Sequence, residues 1–266
     1  MTPVLPVLVA AVNGARSAAD GPAVPVSPAD LAESALAAVA AGAGEVLVHP
    51  RTPCGRESLS PRVVGPLLEV LRGAGVGVPL VVPACVGAEP GAAERSERVR
   101  SWTVLPDRAV VDFAEPGARE LAEALLGRGV AVDAMVPLGG PTGTAGTDPM
   151  ARFLAWPVRE PGRVRLVAEL ASADPSLVAG LRGLPPVEVV LFGREAAAWP
   201  VLRLAGRCGT GARTGVGDVL HLPDGRPARS TAELVAAARV ALREAAHPRP
   251  VGAVRSGPAD QARPRP

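Results

Sequence analysis

Lysine and tyrosine are both absent from this 266-residue chain, so all 28 of its basic residues are arginine. Without lysine there is no Schiff-base aldolase chemistry, no pyridoxal phosphate attached to a lysine and no phosphate loop of the usual lysine-containing kind. Acid–base work therefore falls to His, Asp, Glu, Cys or water. A nucleotide-composition bias accounts for arginine over lysine and for the abundance of Ala, Gly, Val and Pro; the exclusions hold whatever the cause. The three cysteines, Cys54, Cys85 and Cys208, stand too far apart for a zinc knuckle or a paired-disulfide framework, which fits a reducing, cytoplasmic compartment. Long apolar runs are missing as well. No stretch approaches the roughly 18 residues of a membrane span, and no basic region precedes the first apolar run, so no membrane partner is expected. Aromatics are scarce, with three Phe and three Trp, and the formal charge of +2 comes from interspersed acids and bases. That leaves no basic stripe with interleaved rings and no expectation of nucleic-acid binding.

What the chain does have is apolar bulk, 48% of its residues, enough for one substantial core. Short apolar runs alternate with helical segments. Strands are expected at 7–12, 45–49, 78–82, 109–113, 130–136, 164–170, 187–192 and 212–216. Helices are expected at 28–41, 61–72, 92–105, 117–127, 149–155, 174–182, 196–206 and 231–246. Ser27-Pro28 and Ser60-Pro61 each supply an N-cap followed by a first-turn proline. Eight strands each followed by a helix is the pattern of a single-domain (β/α)8 TIM barrel over residues 1–246, with an open doubly wound sheet as the runner-up. The Pro/Arg-rich tail 247–266 is expected to be disordered.

In a barrel, the active end lies where the strands' C-terminal ends meet their loops. That rule gathers Asn13, His49, Arg51, Pro83 to Cys85, Glu115, Asp133, Glu169, Arg194 and the 213–218 segment on one face. The run Glu45-Val46-Leu47-Val48-His49-Pro50-Arg51 delivers one of only three histidines to such an end, making His49 the first candidate metal ligand. A structural, hydrogen-bonded histidine is the competing role, because a metal needs about three or four converging donors. His49 with Arg51 also suits a bound anion. Cys85 reads as a small core residue before a nucleophile. Glu169 is a conceivable replacement ligand, His221 a loop residue, and the glycine-rich stretch 139–144 a lid or a shortened element.

Several segments, in order, carry a resemblance: Asn13-Gly14-Ala15-Arg16, then Val48-His49-Pro50-Arg51 with Gly55-Arg56-Glu57-Ser58-Leu59, Arg100 to Asp107, Glu115-Pro116-Gly117-Ala118, Trp199 to Arg203, and Leu222 to Arg226 leading to Ala232-Glu233-Leu234-Val235. Together they resemble the β-keto acid cleavage enzymes, also called the 3-keto-5-aminohexanoate cleavage family. The resemblance implies a zinc-dependent barrel that converts a β-keto acid and acetyl-CoA, as co-substrate, to acetoacetate and a new acyl-CoA. The metal would polarise keto oxygens and stabilise enolate charge. It further implies a metal site in which His49 is the sole retained ligand, with Leu47 and Gly217 at the two other ligand positions. Arg213 and Asp218 match catalytic positions, although an internal structural ion pair would keep the same two residues. Substrate contacts are implied for Asn13, Arg51, Ala84 and Glu115.

Leucine and glycine cannot coordinate zinc, so metal binding is expected to be weak or absent and activity weak or altered. The alternative is a catalytically silent paralogue that binds a small carboxylate or acyl-CoA, or that serves as a subunit of an active homologue. The implied ligands are a small β-keto acid or carboxylate and a CoA thioester, and a homo-oligomer is expected. If the backbone at both strand ends is family-like, Leu47→His with Gly217→Glu should restore metal binding.

Overall fold

The computed structural model describes residues 6–85, 91–139, 148–179, 181 and 186–246. The expected tail at 247–266 and most of the glycine-rich loop, from 140 onward, lie outside them. Strands β1 (Leu8–Ala11), β2 (Glu45–Leu47), β3 (Leu80–Pro83), β4 (Arg108–Asp112), β5 (Ala131–Leu138), β6 (Val164–Leu170), β7 (Glu188–Phe192) and β8 (Gly211–Thr214) are all parallel. They pair in sequence order and β8 returns to β1, closing the barrel. Between and after them run α1 (Pro28–Ala40), α2 (Pro61–Gly73), α3 (Ala92–Arg100), α4 (Ala118–Gly127), α5 (Pro149–Ala155), α6 (Pro175–Ala179), α7 (Ala198–Cys208) and α8 (Thr231–Ala246). The TIM-barrel expectation is met.

Local chemistry explains the helix starts. Ser27 Oγ accepts the Asp30 N–H while the Asp30 carboxylate accepts the Ser27 N–H, a complete capping box before Pro28. Ser60 and Asp148 cap α2 and α5 in the same spirit, each ahead of a proline. Most boundaries shift by a residue or two from the sequence reading, and two of the differences have a clear physical basis. Helix α3 stops at Arg100 rather than continuing to 105, because Trp102 turns inward, fully buried, and donates its indole N–H to Leu59 O at 2.8 Å. Strand β5 runs on to Leu138, paired with β6 from Val132 to its end.

The barrel interior is layered. Its middle is an apolar plug in which Val9, Ala11, Leu47, Val81 and Val110 form one buried cluster and Val167, Val190 and Phe192 another, with Met135 packed against both. Such filling makes the barrel a core and not a pore. Beneath it, at the strands' N-terminal ends, lies a charged floor. Arg165 spans from β6 to Glu45 on β2 through bonds of 2.9 and 2.5 Å and also reaches Asp133 at 2.7 Å; Arg108 donates to the other Asp133 oxygen at 2.7 Å. Asp133 therefore belongs to the floor. Its expected place at the active end is corrected by the register, which sets it beside Val110 and Arg165 early in β5.

Candidate functional site at the C-terminal mouth

Above the apolar plug the strand ends carry polar side chains from six of the eight strands or the loops that follow them. Asn13, two residues past β1, is fully buried, its amide donating to His49 O (2.9 Å) and its Oδ1 accepting the His49 N–H (2.8 Å). That clasp fixes the backbone of His49, so Asn13 acts on the histidine's main chain. His49 Nδ1 lies 3.2 Å from Glu57 Oε1, and an ionised carboxylate can only accept, so Nδ1–H donates. Arg51 sits 3.5 Å from the same carboxylate oxygen. Burial pushes the Glu57 carboxyl up, but the hydrogen bond with His49 and the charges of His49, Arg51 and Arg194 outweigh it and hold the group below its usual range.

Strands β3 and β4 bring Cys85, Asp112 and the β4–α4 loop residue Glu115. Cys85 packs on the inward cluster and its thiol is pushed far up by burial, with Glu115 and Asp112 adding to the effect, so it stays protonated and is no nucleophile. Ala84 faces the other way: its methyl belongs to the cluster between barrel and helices. Glu115 pairs with the buried Arg95 at 3.2 Å. Asp112, half-buried, accepts the Ala114 N–H at 2.8 Å, and burial first, then the Glu169 charge, raise its carboxyl. Nothing in the sequence singled out Asp112 or Glu57; for Asp112 the available signal was its alternation with the inward Val110.

On the far side, Arg213 and Asp218 face each other in a two-pronged pair of 2.9 and 2.6 Å, 7% and 1% exposed. The Arg213 guanidinium also stacks on the Phe192 ring, 3.3 Å from its centroid. Nε and Nη2 of Arg213 are thus both committed to Asp218. His221 is held apart in the loop after β8, where a bridge to Pro227 forms a small hairpin and its carbonyl accepts the Trp199 indole N–H.

The β8–α8 turn carries the tightest backbone packing of the mouth. Gly215 has φ +142°, and a Cβ there would lie 2.2 Å from Ala11 O, so only glycine fits. Two residues on, a Cβ at Gly217 would lie 2.8 Å from Gly14 N and 3.0 Å from Gly14 Cα. The ends of β1 and β8 touch main chain to main chain, and Gly217 N donates to Ala11 O at 3.0 Å. Position 217 has no room for a side chain, and Leu47 is 3% exposed within the apolar plug. Among the described residues no group of three or more His, Cys, Asp or Glu side chains converges to hold a metal. The residues at these positions do not fit a three-ligand zinc centre.

A separate thiol is exposed in the loop after β2. Cys54 Sγ lies 3.1 Å from Thr52 Oγ1, and hydrogen bonds from Thr52 and Arg56 lower its pKa to about 7. Iodoacetamide at pH 7.5 is therefore expected to alkylate Cys54 ahead of the other exposed cysteine, Cys208, and to leave Cys85 intact. Peptide mapping over a pH series should place the half-maximal rate at Cys54 near pH 7, and equal rates at Cys54 and Cys208 would contradict the hydrogen-bonded thiolate.

A closed parallel barrel with a polar C-terminal mouth defines the class. Within it, residues 6–126 and 163–251 match the family model of the beta-keto acid cleavage enzymes, and the chain belongs to that family. Among solved structures, it is similar to ObcA in a ternary complex with a C4-CoA adduct and oxalate, with 17% identity and a TM-score of 0.65 over 84% of this chain and 64% of that one. ObcA bound to oxaloacetate gives 16% and 0.60, over 83% of this chain and 63% of that one. The 3-dehydroquinate dehydratase of Aquifex aeolicus VF5 gives 13% and 0.53, over 88% and 98% of the two chains. At such identities the likeness is one of fold, and the chain spans about 64% of the length of ObcA. No curated protein sequence matches it.

Proposed function

We propose that this barrel binds a small carboxylate of the β-keto acid kind, together with a CoA thioester, at its C-terminal mouth, and does so without the zinc centre that the family resemblance implies. Cleavage of a β-keto acid against acetyl-CoA to acetoacetate and acyl-CoA is on this reading weak or altered. The observation that carries it is the main-chain contact between Gly14 and Gly217, which occupies the space a ligating carboxylate would need. Support for the ligand class comes from ObcA, whose structures hold oxalate, oxaloacetate and a C4-CoA adduct. We place the protein in the cytoplasm as a homo-oligomer.

A second reading is favoured by the closure of Arg213 on Asp218: the two residues matched to catalytic positions engage each other and the Phe192 ring. In that case the chain acts by binding alone, as a sensor or as a subunit of an active homologue. Metal analysis of protein purified without chelator, combined with an acetoacetate assay on β-keto acid plus acetyl-CoA, separates these outcomes. Zinc well below stoichiometric with slow acetoacetate formation is the expected result, and no product at all favours the binding reading. About one zinc per chain would overturn both.

A further inference from the structure

Among the described residues, four arginines around the mouth are each held by two or more hydrogen bonds or ion-pair contacts. Arg16 is held by Val216 O and Glu195. Arg51 places Nη1 on Gly55 O and Nη2 on Gly14 O, each at 2.7 Å. Arg95 is buried with Glu115 and Pro116 O, and Arg213 is closed on Asp218. Arg194 differs. Only its Nε is engaged, donating to Glu169 Oε1 at 2.8 Å, and neither Nη1 nor Nη2 has a hydrogen-bond partner among the described residues. The side chain is 44% exposed and its guanidinium lies 5.6 Å from the Phe192 ring centroid.

Arg194 lies two residues past β7; its charge helps to lower the Glu57 carboxyl beyond β2 and opposes the rise of Asp112 on β4, and the Asp218 and Glu169 charges raise its own pKa. Bonded to Glu169 of β6 and lying beside the Phe192 ring of β7, the guanidinium sits at the C-terminal ends of these strands. Beside it is a hollow of about 160 Å³ lined by Pro137, Leu138, Glu169, Leu170, Ala171 and Arg194, among others. That volume suits an acid of two to four carbons and is too small for a CoA nucleotide. The two free Nη groups form a planar fork that matches the two oxygens of a carboxylate.

We infer that Arg194 is the residue that receives the carboxylate of the substrate, a short keto acid or dicarboxylate, and that Glu169 is its positioning residue, holding Nε so that the fork faces the hollow. This rests on the carboxylate-binding reading above and names the group that performs it. The role implied for Arg51 passes to Arg194, because the Arg51 fork is committed to two backbone carbonyls.

The test is calorimetric titration of the full chain with oxalate and, freshly dissolved, with oxaloacetate. Arg194→Gln is expected to weaken oxalate binding roughly tenfold or more, the loss of a charged two-point contact. Arg194→Lys, which keeps the charge but not the fork, should lose less. Arg119→Gln, on the outer face of α4, should bind like the parent. Thermal melts of each variant show whether it is folded, and the side chain's exposure makes both substitutions at 194 compatible with the native structure. Parent-like affinity in a folded Arg194→Gln variant overturns the assignment to Arg194 and leaves the carboxylate reading standing. Failure of the parent protein to bind either acid overturns the carboxylate reading, and this inference with it.

Discussion

Arg165→Met is expected to destabilise the fold by about 3–5 kcal/mol, because it removes the shared cation from two buried carboxylates. Arg165 is 1% exposed and holds Glu45 and Asp133 at once. Burial alone would lower its pKa, but Asp133 and Glu45 raise it well above that of free arginine. With the cation gone, Arg108 still neutralises Asp133, whereas Glu45 loses both of its 2.9 and 2.5 Å bonds. Urea denaturation should show a lower midpoint at unchanged slope. Glu45→Gln in the same background should recover part of the loss, since the two residues share one network. A loss under about 1 kcal/mol would mean that the floor is wetter than its packing implies.

Gly217→Glu is the second large effect. Even Gly217→Ala puts a Cβ 2.8 Å from Gly14 N and 3.1 Å from the Ala11 Cβ, so main chain must move against main chain. Overpacking of this kind costs about 1–3 kcal/mol for alanine, and more for glutamate, whose carboxylate would also have to leave water. Leu47→His adds an imidazole among Val9, Val81 and Val110. The double substitution is therefore expected to lower the melting temperature without creating a zinc site, a revision of what the family resemblance alone suggests. Equilibrium dialysis against zinc, alongside a thermal melt, checks both parts. A double variant of parent-like stability that takes up zinc would show that the two strand ends are not in contact.

The sequence made the barrel legible because its strands are short, apolar and evenly spaced, and because Ser27-Pro28 and Ser60-Pro61 mark helix starts by a local mechanism. It misplaced the end of α3, where the burial of Trp102 is a tertiary event that overrides a helical pattern. Asp133 was misread for a related reason. A charge in a strand looks alike at either end of a barrel, and only the register against Val110 and Arg165 sends it to the floor. At the mouth, position and role separate. Asn13, His49, Arg51, Glu115 and the Arg213–Asp218 pair all lie where a strand-end rule puts them. Which of them has a free donor depends on backbone carbonyls such as Gly14 O and Gly55 O, and those partners leave no trace in residue type. Ala84 fell on the wrong side because side chains alternate along β3, so a one-residue uncertainty in register exchanges it with Cys85.

If Arg194 receives the carboxylate, binding of the acid needs no metal, although the resemblance implies zinc at the keto oxygens. The most direct measurement is the affinity of the parent protein for oxalate before and after exhaustive treatment with a chelator, with zinc then added back. An affinity unchanged by both steps is the predicted result. Binding that disappears with the chelator and returns with zinc would contradict a metal-free carboxylate site.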